Sequence, residues 1–166
     1  STDAYDTDLS AYAYHRLDIE DDASIAALSD AVPALDILIN NGGIALPSLG
    51  MDEWEPDNFE RAVRMHLTGV YRVSHAFKDR LAASTRPGGG AIVCVGSMSS
   101  LFGIEIVPGY GSGKTGLIGL TRALAVGWGR HNIRANMVAV GLVASRMTSA
   151  ALEHDGYTAP TLARTP

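Results

Sequence analysis

Apolar positions along the chain follow two different spacings. Three short continuous runs, 35–39, 91–95 and 133–140, read as strands buried on both faces. An earlier run, 13–19, reads as a further strand ending at Asp18-Ile19. Between these runs the spacing changes to steps of three and four. Residues 21–32 predict a helix with acidic residues in its first turn and Ile25, Leu28 and Val32 on one face. Phe59, Val63, His66, Val70, Val73, Phe77 and Leu81 predict one long helix over 57–83. Leu117, Leu120, Leu124 and Trp128 predict another over 110–130. Residues 142–166 read as irregular, with a short helix near 147–153.

Strands alternating with helices predict an α/β domain: a parallel sheet with helices on both faces. In such sheets, ligands bind beyond the carboxyl ends of the strands. The positions to inspect therefore follow Ile39, Val95 and Val140, and glycine-rich or hydroxyl-rich segments stand at all three. No internal repeat and no linker divides the chain, so residues 1–166 are expected to form a single domain.

Composition narrows the function classes. Eighteen acidic and 13 basic residues give a net charge of −5, which argues against nucleic acid as the main partner. The one cysteine, Cys94, sits inside an apolar run and is expected to be a buried packing residue. His15, His75, His131 and His154 lack metal-ligand spacing, so no metal site is expected. The first ten residues are polar, and no apolar run approaches the ~18 residues of a membrane span. The expectation is a cytoplasmic protein that engages no membrane.

The chemistry concentrates on Tyr110 and Lys114, four residues apart near a helix start and therefore on one face. An ammonium beside a phenol favours the phenolate, so such a tyrosine can exchange a proton with an alcohol or carbonyl oxygen. Alone the pair also reads as a solvated helix face. Ser97 lies thirteen residues upstream, just past a strand's carboxyl end. Strand ends and the following helix starts share one sheet edge, so Ser97 and Tyr110 can converge on one oxygen. Ser97 by itself also reads as a turn hydroxyl beside Gly96.

Asn40-Asn41-Gly42-Gly43, Val95-Gly96-Ser97, Tyr110-Gly111-Ser112-Gly113-Lys114 and Ile133-Arg134-Ala135-Asn136 leading to Val140-Gly141 follow in this order. Their order and spacing resemble the short-chain dehydrogenase/reductases across nearly the whole chain. The resemblance implies a Rossmann-like, doubly wound parallel sheet in three layers. It also implies an NAD- or NADP-dependent oxidoreductase acting on a small carbonyl or alcohol substrate. Tyr110 would be the general acid/base, Lys114 would hold the nicotinamide ribose and ease loss of the tyrosine proton, and Ser97 would bind the substrate carbonyl. Asp18 and Ile19 would contact adenine. Asn40, Gly42 and Gly43 would let the adenosine ribose and pyrophosphate lie close to the backbone. Gly141, Val143 and Ser145 would receive the carboxamide. The long helices resemble those of the family's dimer interface and imply a homodimer or homotetramer.

The sequence departs from the family at several points. The fingerprint Thr-Gly-x-x-x-Gly-x-Gly is absent from these residues, and the resemblance places it upstream of Ser1. A partial domain is expected, lacking the N-terminal βαβ unit and the last strand. The residues that choose between NAD and NADP also fall outside it. His66 stands where the family has an asparagine in Asn-x-x-Gly. It reads either as a proton relay, and so as a catalytic candidate, or as a helix histidine satisfied by a backbone group. Glycine replaces alanine in the Ala-Gly pair, and Val140 replaces a proline. Leu101, Phe102, Ile104, Ile106 and Val107 read either as an apolar wall for a hydrophobic or cyclic ketone, or as loop packing. Met147, Leu152 and Tyr157 belong to a segment that matches the family's mobile lid. The rival reading is a non-catalytic binding or scaffold protein on the same fold.

Overall fold

A computed structural model describes residues 10–145 and residues 147, 148, 152, 159 and 163. Three parallel strands form its sheet: β1 (Ile37–Asn40), β2 (Gly90–Ser97) and β3 (Ile133–Val140), in that spatial order. The register pairs Asn40 with Cys94 and Ser97 with Val140. The segments 41–43, 98–100 and 141–145 therefore leave the sheet along one edge, as the strand order predicted. The third strand has the predicted bounds, and the second extends beyond its apolar run at both ends.

The helices are α1 (Asp22–Ala31), α2 (Pro56–Val63), α3 (Val70–Ala76), α4 (Lys78–Ala82) and α5 (Pro108–Trp128). Asp21 caps α1 by accepting the Ala23 N–H at 3.0 Å. Ile25, Val73, Phe77, Leu81, Leu117 and Leu124 meet Ile92, Cys94, Ile133 and Ala135 in one core. These strand residues alternate along β2 and β3, so the core lies on one face of the sheet. The buried Cys94 is a packing residue, as expected. No helix among the described residues is long and apolar enough to cross a membrane.

Three expectations need correction. The runs 35–39, 91–95 and 133–140 are not buried on both faces: Ile39, on the face away from the helices, is 61% exposed. All the helices that close the described core pack on the other face. Residues 13–18 form no strand. An apolar run becomes a strand only where a neighbour offers a ladder, and β1 is paired on one side only. Leu17 and Ile19 instead pack against the core as coil. Finally, the helix over 57–83 is interrupted. Residues Arg64–Gly69 form a π-helical turn, and Phe77 (φ −99°, ψ 3°) breaks the rod between α3 and α4. The widened turn carries His66. At Gly69 an added Cβ would lie 3.0 Å from the Ile19 carbonyl oxygen, so glycine is what lets that coil lie against the rod.

Candidate active site

Tyr110 and Lys114 leave the first turns of α5, one helical turn apart. Pro108 suits the first helical position because its missing N–H needs no partner. The N-cap residue, Val107, has no side-chain acceptor to offer. Glu53 supplies one from a distant loop: its Oε2 accepts the backbone N–H of Tyr110 at 2.7 Å. A carboxylate at a helix N-terminus also meets the positive end of the dipole. Glu53 is fully buried, and its Oε1 has no partner. The next residue, Trp54, donates its indole N–H to the Glu105 carbonyl at 2.9 Å. Sequence reasoning missed Glu53; the available signal was the uncapped start of α5.

The Lys114 side chain runs inward to the carboxyl end of β2. Its Nζ donates to the Val95 carbonyl at 2.7 Å and lies 5.7 Å from the Tyr110 ring centroid. The residue is only 5% exposed. Neither ion pair recorded among the described residues involves it. Burial pushes its pKa down to about 8. A nearly buried ammonium facing only a carbonyl is costly for folding, and such groups concentrate at functional sites. Two of its three N–H donors remain for a ligand's hydroxyls.

His66 packs edge-on against Tyr110, with ring centroids 4.7 Å apart. Its Nε2 meets the Ile44 carbonyl oxygen at 2.8 Å. A carbonyl only accepts, so Nε2 carries the proton and Nδ1 presents a lone pair. That Nδ1 is buried without a partner. Two glycines make room for the side chain. A Cβ at Gly43 would lie 2.7 Å from His66 Cε1, and one at Gly113 would lie 2.8 Å from His66 Cβ. Burial first, and the Lys114 charge second, push the imidazole pKa down to about 4, against the bond to Ile44. His66 thus has the backbone partner of one reading and keeps a free acceptor beside Tyr110 for the other.

This burial fixes a pH dependence. The folded pKa lies below the unfolded 6.5, so between these values the unfolded chain binds more protons. Stability is therefore fully present above pH 6.5 and falls toward pH 4, by roughly 3 kcal/mol for this group. Urea unfolding of the complete protein should show that loss, and His66→Asn should remove it. Equal pH slopes in the two proteins would show that burial does not hold the imidazole's pKa below its unfolded value.

Ser97 ends β2 and caps a short 3-10 turn, its Oγ accepting the Ser99 N–H at 3.2 Å. Ser100 Oγ accepts from Ser97 N and donates to the Lys114 carbonyl. The Ser97 turn is thereby laced to α5 one helical turn beyond Tyr110. Gly43, His66, Tyr110 and Lys114 form one contact group, and Ser97 joins it through Ser100. Asn40 does not face outward: its side chain donates to Ser74 Oγ at 3.0 Å and ties β1 to α3. Asp18 accepts the Glu20 N–H at 2.9 Å, and the Ile19 side chain lies 3.8 Å from where a Gly42 Cβ would stand. Gly141, Val143 and Ser145 follow β3 as exposed backbone, held by Thr148 Oγ1 on the Val143 carbonyl at 2.6 Å.

Leu101, Phe102 and Ile106 are each more than 60% exposed in the loop between Ser97 and Tyr110. Val107 is buried and Ile104 half-buried. Leu152 donates its backbone N–H to the Thr148 carbonyl at 2.9 Å, as one step of the helix expected near 147–153. Tyr157 and His154 lie outside the described residues.

Comparison with known proteins bears on this arrangement. The family described as short chain dehydrogenase matches residues 5–156. A cis-4-hydroxycyclohexanecarboxylate dehydrogenase of Sinomonas cyclohexanicum is 37% identical over 131 residues, covering 76% of this chain and 51% of that protein. A 3alpha-hydroxysteroid dehydrogenase of Mediterraneibacter gnavus is 34% identical over 136 residues, covering 80% and 53%. The crystal structure of a gluconate 5-dehydrogenase from Burkholderia cenocepacia, in complex with NADP and tartrate, superposes with a TM-score of 0.73 at 27% identity, covering 86% of this chain and 56% of that one. The chain spans about half the length of the curated relatives it matches.

Proposed function

The chain belongs to the short-chain dehydrogenase family, and on that premise we propose that the protein carrying it is an NAD(P)-dependent oxidoreductase interconverting a secondary alcohol and a ketone. The observation that carries this reading is the packing of Tyr110 against His66, with the buried Lys114 ammonium beside it, at the sheet edge where the strands end. The residues fit a nicotinamide nucleotide on their own geometry. Lys114 has donors to spare for ribose hydroxyls. Among the described residues a Cβ at Gly42 would meet the Ile19 side chain and one at Gly141 would meet nothing within 4 Å, so both leave bare backbone for close approach. Asp18, Ile19, Gly42, Gly43, Gly141, Val143 and Ser145 would line that contact. Asn40 contributes by fixing the direction in which residues 41–43 leave β1.

A bound nicotinamide supplies or accepts the hydride. The chain's own residues handle the oxygen. The Tyr110 hydroxyl gives or takes the proton at the substrate oxygen. The Ser97 hydroxyl orients that oxygen. The Lys114 ammonium holds positive charge beside the phenol. The His66 Nδ1 offers a neutral acceptor at the back of the same group. The exposed Leu101, Phe102 and Ile106 favour an apolar or cyclic substrate, and two of the relatives above are named for ring alcohols. Assembly as a homodimer or homotetramer would use the outer helix faces, where Tyr71 and Val126 are exposed.

The test is a screen of the complete protein with NAD(H) and NADP(H) against cyclic and aryl ketones, the matching alcohols and polar sugar acids. Turnover of the ring compounds is expected. Turnover confined to sugar acids would overturn the apolar assignment. Cofactor binding without any turnover, or neither, would favour a binding or scaffold role.

A further inference from the structure

The segment Asp52-Glu53-Trp54 grips both ends of the stretch that leads into α5. Trp54 Nε1 holds the Glu105 carbonyl at 2.9 Å, and Glu53 Oε2 holds the Tyr110 N–H at 2.7 Å. Asp52 stiffens the grip: its Oδ1 accepts the Trp54 N–H at 2.9 Å, and its carbonyl accepts Asn58 Nδ2 at 2.8 Å. We propose that Glu53 is a positioning residue for Tyr110, setting where the phenol stands by anchoring that residue's own backbone amide. The inference rests on the oxidoreductase reading for its effect on turnover, and on geometry alone for its effect on the amide.

The argument is one of necessity at the helix start. The first N–H groups of a helix have no partner within it, and α5 begins without a side-chain cap of its own. Its third residue is the one whose side chain must be placed. Because Tyr110 N donates to Glu53, a shift of the 50–55 loop moves the backbone of Tyr110 directly. Misplacing a reacting group by a fraction of an ångström is enough to slow a proton transfer. Glu53 is also wholly buried, so its side chain is held in place at the start of α5.

What matters in this proposal is an acceptor at one position, and three substitutions separate that from charge. Glu53→Gln keeps an oxygen in place and removes the charge. Glu53→Asp keeps the charge and withdraws the oxygen by one methylene. Glu53→Ala removes both. In the complete protein, Ala and Asp are expected to lower kcat about tenfold, with the Kd for the nicotinamide nucleotide within about twofold, and Gln to stay within about threefold of wild type. Amide hydrogen exchange at Tyr110 is expected to quicken in Ala and Asp and not in Gln. If Ala fails to fold, the Gln and Asp comparison still decides. Full activity in Asp with a tenfold loss in Gln would overturn the proposal in favour of charge. Unchanged exchange at Tyr110 in both Ala and Asp would overturn it outright. The exchange arm needs no substrate, so it separates failure of the Glu53 anchor from failure of the oxidoreductase reading: quickened exchange without any turnover in wild type would sink that reading and leave the anchor standing.

Discussion

Tyr110→Phe is expected to lower turnover of the complete protein by about 10²–10⁴-fold while the nicotinamide nucleotide binds within about twofold of wild type. The substitution removes one hydroxyl and little else. The ring keeps its edge-on contact with His66, the backbone N–H still donates to Glu53, and α5 keeps its first turn. Loss of fold is therefore not a competing explanation for loss of rate. The hydroxyl is the group assigned to move the proton at the substrate oxygen, and removing a positioned acid/base forfeits the factor quoted. Steady-state kinetics with the best ketone of the screen, together with cofactor titration by fluorescence, measures both quantities. A variant that keeps near-normal kcat would end the assignment of Tyr110 as acid/base. One that loses cofactor binding along with rate would place the hydroxyl in ligand binding instead.

Lys114→Met should have opposite effects on function and on stability. Its ammonium is nearly buried and, among the described residues, bonded to the Val95 carbonyl alone. Methionine fills similar space without a charge to desolvate, so the variant is expected to be at least as stable as wild type. Its kcat/KM is expected to fall by about 10²-fold or more, because the proposed ribose contact and the positive charge beside Tyr110 disappear together. The pH profile carries the same conflict. The folded pKa of about 8 lies below the unfolded 10.5, so between these values the unfolded chain binds more protons and stability rises with pH, by roughly 3 kcal/mol in all. Activity that needs the ammonium falls across the same window as the charge is lost. Thermal unfolding and kcat/KM measured from pH 7 to 10 test both arms. A variant that is less stable and still active would overturn the assigned role.

His66 shows how far a pattern can reach. Its helical spacing and its departure from Asn-x-x-Gly were visible in the sequence, and they marked the position as unusual. Its tautomer, its bare Nδ1 and its seat between Gly43 and Gly113 were not, because each depends on atoms brought from separate elements. The π-helical turn beneath it was invisible for a related reason. Apolar steps of three and four fit a continuous helix equally well, and the extra residue in a turn is absorbed by packing. Glu53 is the plainest case. It is one of three acids in residues 50–55 and no pattern sets it apart; its meaning comes from Tyr110, 57 positions away.

Elements with a local or periodic cause were legible in the sequence: α1 with acidic residues at its start, the long run of α5, β3 to the residue, and the i, i+4 placement of Tyr110 and Lys114. The alternation of strands and helices also placed the ends of β1, β2 and β3 at one sheet edge, since it implies parallel strands. Contacts between distant segments settled that residues 13–18 stay out of a sheet, that the strands bury one face, and that Asn40 turns inward to Ser74. These outcomes depend on which neighbour is present to supply a ladder, a covering layer or a hydrogen-bond partner. No spacing within one segment encodes the identity of its neighbour.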